Sequence, residues 1–106
     1  MPSGKNMPTK PRLEWRAQAR SDLLDIIDHI AEDNPDAAQS LMDEIEAKVS
    51  KLPDHPKLYK PSTRVKGMRE LIVTSNYIVL YREGPHSVEI VNIIHARRQW
   101  PPLKGA

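Results

Sequence analysis

The spacing of apolar residues changes along the chain, and each change predicts an element. Between Pro11 and Arg16 polar and apolar positions alternate, so Leu13 and Trp15 share one face of a short first strand. From 17 to 33 the step becomes helical: Leu23, Ile26, Ile27, Ile30 and Ala31 form one stripe. Asp22, Asp25, Asp28, His29 and Glu32 lie mostly off it and read as a solvated helix flank rather than a metal site. Asn34 and Pro35 end one helix and start the next, Asn34 as a cap and Pro35 at a position that needs no N–H. Ala38, Leu41, Ile45, Val49 and Leu52, widened by Met42, make the second stripe, which Pro53 ends. The short joint predicts an antiparallel helical hairpin.

Residues 53–63 hold Pro53, Pro56 and Pro61 and read as a loop. His55 and Tyr59 within it are ordinary loop polar residues on this reading. Three strand-like runs follow, 65–74, 77–82 and 87–97, separated by turns at Ser75-Asn76 and at Glu83-Gly84-Pro85-His86. The order β-α-α-β-β-β predicts an α+β domain, an antiparallel sheet with the helical hairpin packed on one face and the other face open. Alternation puts Arg69, Leu71 and Val73 on one side of their strand, and Tyr77, Val79 and Tyr81 on one side of theirs. In the last strand Val91, Ile93, His95 and Arg97 oppose Ile90, Asn92, Ile94, Ala96 and Arg98. The basic groups are expected to meet on the open face.

Composition narrows the picture. A chain of 106 residues makes one domain, expected over 12–102, with 1–11 a disordered leader or expression remnant and 103–106 a tail. No cysteine is present, which excludes disulfides and thiolate metal sites. No run is long and apolar enough for a membrane span, so no membrane partner is expected. The net charge of +2 hides a segregation. Residues 21–54 carry ten carboxylates against two lysines, and the rest carries fourteen Lys or Arg against four Glu. A basic part of this kind suits an anionic partner, most often nucleic acid.

The densest chemistry lies at the end of the last strand, where His95, Arg97, Arg98 and Trp100 follow the apolar run 88–94. An imidazole that titrates near neutrality, forked guanidiniums and an indole together suit a phosphate-bearing target. No grouping of ligands implies a metal or another cofactor.

At Gly67-Met68-Arg69-Glu70-Leu71, at Asn76-Tyr77-Ile78-Val79-Leu80-Tyr81-Arg82 and from Val88 to Pro101, with His95-Ala96-Arg97-Arg98, the sequence resembles the RelE/ParE toxins of bacterial toxin–antitoxin modules. The resemblance implies a cytoplasmic growth inhibitor silenced by a cognate antitoxin. It also implies one of two targets. RelE-like members cut messenger RNA on the ribosome by metal-free attack of a 2′-hydroxyl on the adjacent phosphate. ParE-like members poison DNA gyrase. For the nuclease, His95, Arg97, Arg69 and Tyr81 are the expected catalytic residues, with Tyr81 or Trp100 stacking on a base. For target binding, Arg98, Trp100, Arg82 and Lys66 are expected. RelE-like nucleases commonly carry an arginine after the tyrosine that opens the third strand, where this chain has Ile78. That aliphatic residue, with the His-Ala-Arg-Arg tail, tilts the resemblance toward the ParE-like branch and gyrase.

Overall fold

The computed structural model describes residues 11–74 and 76–97. The elements are β1 (Arg12–Trp15), α1 (Ala17–Asp33), α2 (Pro35–Val49), β2 (Arg69–Val73), β3 (Tyr77–Glu83) and β4 (Ser87–His95), in the expected order. Asn34 caps α2 as predicted, its Oδ1 accepting the Ala37 N–H at 3.0 Å, with Pro35 beginning the helix. The second helix stops at Val49, short of Leu52. A residue before proline avoids helical geometry, and Pro53 has no N–H to continue the ladder. Leu52 stays fully buried from the turn that follows.

The sheet order is β1-β4-β3-β2. β2, β3 and β4 form the expected antiparallel meander. The prediction of a wholly antiparallel sheet fails at β1, which lies parallel to β4 with Leu13 opposite Val88 and Trp15 opposite Ile90. The sheet is therefore mixed. A strand separated from its partner by a helical hairpin and a meander has no turn to set its direction, and docking of its apolar face decides it.

β1 covers only the first half of β4. Beyond Ile90 the exposed edge of β4 is taken over by α1: Oδ2 of Asp22 accepts the Ile93 N–H at 2.9 Å and Asn92 Nδ2 at 3.1 Å. Asp22 is thus not the plain solvated acid expected of it. It replaces a missing strand at the point where pairing runs out.

The main core lies between the helices and the sheet. Leu41, Ile45, Val49 and Leu52 meet Leu71, Val73, Val79, Tyr81, Val88, Ile90 and Ile93 there. β4 departs from simple alternation. A register shift beside Leu80 and Tyr81 pairs Leu80 with Asn92 and Tyr81 with Ile90, leaving Val91 as a bulge. Ile90 therefore faces the helices together with Ile93, whereas alternation had set them on opposite sides.

The second face is not open along its length. Ile78, Leu80 and Ile94 are buried there beneath Val65, Met68 and Ala96. The segment from Ser62 to Met68 runs across this face as a strap. No helix among the described residues is long and apolar enough to cross a membrane.

Candidate functional site

The meander register decides where the predicted site residues go. Arg69 lies directly opposite Tyr81, and Tyr77 lies opposite His95. Arg69 shares its strand face with Leu71 and Val73, and His95 shares its face with Ile93, so both belong to the helix side of the sheet. The open-face expectation is thereby overturned for Arg69, Tyr81 and His95. The two pairs also sit at opposite ends of β3. Tyr77 and Tyr81 are four residue steps apart, about 13 Å of strand. Arg69 and Tyr81 therefore lie at one end of β3 and His95 at the other.

At the first end both Arg69 and Tyr81 are engaged. Arg69 donates from Nη1 to the Tyr59 carbonyl at 2.7 Å and pairs with Glu83 Oε1 through Nη2 at 3.2 Å. Tyr81 is fully buried and its hydroxyl donates to the Pro56 carbonyl at 2.9 Å. Its ring meets Tyr59 edge-on at 6.4 Å. Burial raises the Tyr81 phenol above its ordinary value, only partly opposed by a backbone hydrogen bond at Tyr59 and by the Arg69 charge. A buried, protonated phenol has no ring face to offer a base and accepts no proton at neutral pH. The loop after α2, expected to be an idle connection, closes this end of the core.

At the other end His95 is half-buried, with its ring edge-on to Tyr77 at 5.2 Å. His95 Nδ1 accepts the Arg97 N–H at 3.2 Å, so the neutral ring carries its proton on Nε2. Arg97 is exposed and makes no side-chain ion pair among the described residues. Lys66 is exposed at the tip of the strap, beside Gly67, whose φ of +85° suits glycine. Arg82 is exposed on the strap-side face but holds Glu89 at 2.7 Å. The expectations for Arg98 and Trp100 lie outside the described residues. Ile78 is buried in the strap-side cluster, so its position reaches no phosphate.

Arg69, expected to be catalytic, Arg82, expected to bind the target, and Arg64, to which no role was given, are thus all held by carboxylates: Arg64 by Glu70, Arg69 by Glu83 and Arg82 by Glu89. The partners are six, fourteen and seven residues away, spacings that carry no signal without strand register.

A further feature was missed. A cavity of about 470 Å³ opens between β1, α1 and the end of α2, lined by Leu13, Trp15, Leu23, Leu24 and Val49, with Arg20 and Glu46 at its rim. Leu24 is 58 % exposed, an apolar group left at the surface. Arg16 precedes α1 without a side-chain cap, and the first turn holds no acid. Positive side chains therefore sit at the positive end of the helix.

A helical hairpin against a four-stranded mixed sheet, with an exposed arginine just past the end of β4, defines a small α+β domain. The family model for the ParE toxin of type II toxin–antitoxin systems, parDE, matches residues 13–100, and the chain belongs to that family. A Sinorhizobium fredii protein designated as a candidate toxin, Y4kP, is 35 % identical over 96 residues, covering 90 % of this chain and 98 % of that one. Toxin RelE2 of Caulobacter vibrioides is 32 % identical over 84 residues, covering 79 % and 93 %. A chain from the chromosomal ParDE system of P. aeruginosa superposes with a TM-score of 0.72 at 24 % identity, over 81 % of this chain and 96 % of its own, and supports the fold. The chain is a type II toxin of the ParE/RelE superfamily.

Proposed function

We propose that this toxin inhibits growth in the cytoplasm by binding and poisoning DNA gyrase, without cutting RNA. One observation carries the reading. The groups a nuclease would need are divided between the two ends of β3, about 13 Å apart, and Arg69 and Tyr81 are consumed by internal bonds. General acid–base cleavage needs its groups within hydrogen-bond reach of one phosphate. A binding inhibitor needs only an exposed surface, and His95 and Arg97 supply one. Lys66 is proposed to bind the target with them, as are Arg98 and Trp100, which lie outside the described residues; Arg82 joins only after exchanging Glu89 for the target.

The test is direct. Purified toxin added to gyrase and relaxed plasmid blocks supercoiling and traps cleaved DNA, and leaves messages intact in a cell-free translation reaction. Normal supercoiling with fragmented messages would instead establish the ribosome-dependent nuclease, the activity class that resemblance to RelE-like toxins offers.

The cognate antitoxin is proposed to cover the cavity beside β1. Solved relatives include toxin–antitoxin complexes. The occupant expected here is an acidic amphipathic segment, with apolar residues against Trp15 and Leu24 and carboxylates near Arg16 and Arg20. Leu24→Asp lowers antitoxin affinity by about a hundredfold, as an apolar contact gives way to a buried charge. Unchanged affinity in a calorimetric titration would move the antitoxin elsewhere.

A further inference from the structure

β4 ends at His95, yet the residue beyond it is held on both backbone groups. The Ala96 N–H donates to the Asn76 carbonyl at 2.6 Å. The Ala96 carbonyl accepts Nη2 of Arg64 at 3.4 Å, at the long end of the hydrogen-bond range but from a charged donor. The same guanidinium reaches both Glu70 oxygens through Nη1, at 3.0 and 3.1 Å. Glu70 also accepts the Ser62 hydroxyl at 2.6 Å. That hydroxyl oxygen in turn accepts the N–H groups of Arg64 and Val65, each at 3.0 Å. Strap, β2 and the end of β4 are thereby joined through one side chain.

The bridge is placed where it matters for the exposed turn. The Glu70 side chain is 15 % exposed and that of Arg64 32 %, so water screens the pair only in part. Ala96 packs with Val65 and Met68 over Ile78, Leu80 and Ile94. Arg97 follows immediately, its N–H tied back to His95.

We propose that Arg64 is a positioning residue: by bridging Glu70 to the Ala96 carbonyl, it sets the geometry of the turn that carries His95 and Arg97. The chemistry is specific to arginine. A planar fork satisfies a carboxylate on one strand and a carbonyl on another at once, whereas a lysine ammonium is a single point charge. Any effect on growth inhibition rests on the reading of His95 and Arg97 as the target-facing surface.

The test separates the bridge from the ion pair within it. Three forms of the full chain are compared with the parent: Arg64→Lys, Arg64→Met, and the double exchange Arg64→Glu with Glu70→Arg. The exchange restores a salt bridge but leaves residue 64 with no donor for Ala96. Amide hydrogen exchange at Ala96 and Arg97, the His95 ring nitrogen shifts, the melting temperature and growth inhibition on induction are measured. In Arg64→Met, exchange at Arg97 accelerates about tenfold while core amides such as those of Val79 and Leu71 hold, as expected of a local opening. The double exchange recovers the melting temperature but neither the Arg97 protection nor the His95 shifts, and Arg64→Lys falls between. Unchanged protection in Arg64→Met, or full recovery of protection by the double exchange, overturns the proposal. Lost protection with undiminished growth inhibition upholds the positioning role and instead sinks the target-facing reading.

Discussion

The two ends of β3 use the same kinds of residue for opposite ends. Around Tyr81, an arginine, a glutamate and two tyrosines are spent on one another and on loop carbonyls. Around Tyr77, a histidine is held by a ring contact and a backbone N–H, and an arginine beside it stays exposed. A cation in a sequence is therefore not a cation at a surface. Its availability depends on whether register has placed a carboxylate or carbonyl opposite.

The sharpest way to break this contrast is at Tyr81. Tyr81→Ala removes a fully buried ring and is expected to cost about 3–5 kcal/mol, read from denaturant unfolding. Wild-type stability together with lost toxicity would make Tyr81 a working residue and end the distinction. Arg69→Met follows, at about 1–3 kcal/mol, because Glu83 and the Tyr59 carbonyl lose a charged donor. Its growth inhibition should fall only in proportion to the folded fraction. A steeper loss would return Arg69 to the functional surface.

Tyr81→Phe is subtler and sharpens the comparison through pH. At neutral pH it costs about 1 kcal/mol, the hydroxyl's bond to Pro56. The folded phenol titrates above its unfolded value. Stability linked to the protonated form is therefore present below about pH 10 and is lost as pH rises from there through the folded value. The gap between wild type and Tyr81→Phe should narrow with alkalinity in parallel melts. A gap that widens would mean the phenol is not protonated in its buried site.

At the other end the order of effects reverses. His95→Ala is expected to cost about 1 kcal/mol, the value of an edge-on ring contact. Arg97→Ala changes stability by less than about 0.5 kcal/mol, as exposed substitutions do. Both should nevertheless weaken growth inhibition, measured by colony counts after induction. Full toxicity in both variants would leave the exposed turn without a role.

Periodicity and punctuation determined much of this protein on their own. The stripes of α1 and α2, the Asn34-Pro35 joint and the three runs of the meander are local patterns, and local patterns follow from which side chains need burial within a turn or a pleat. Tertiary structure decided the rest. It set the direction of β1, the bulge at Val91, the strap over Ile78 and the three arginine–glutamate pairings. Each depends on how strands and loops are laid against one another, and a one-residue change of register would exchange one partner for another. The toxin-like order of residues was therefore legible in one dimension, but which charges remain free to meet a target was settled only when the strands came together.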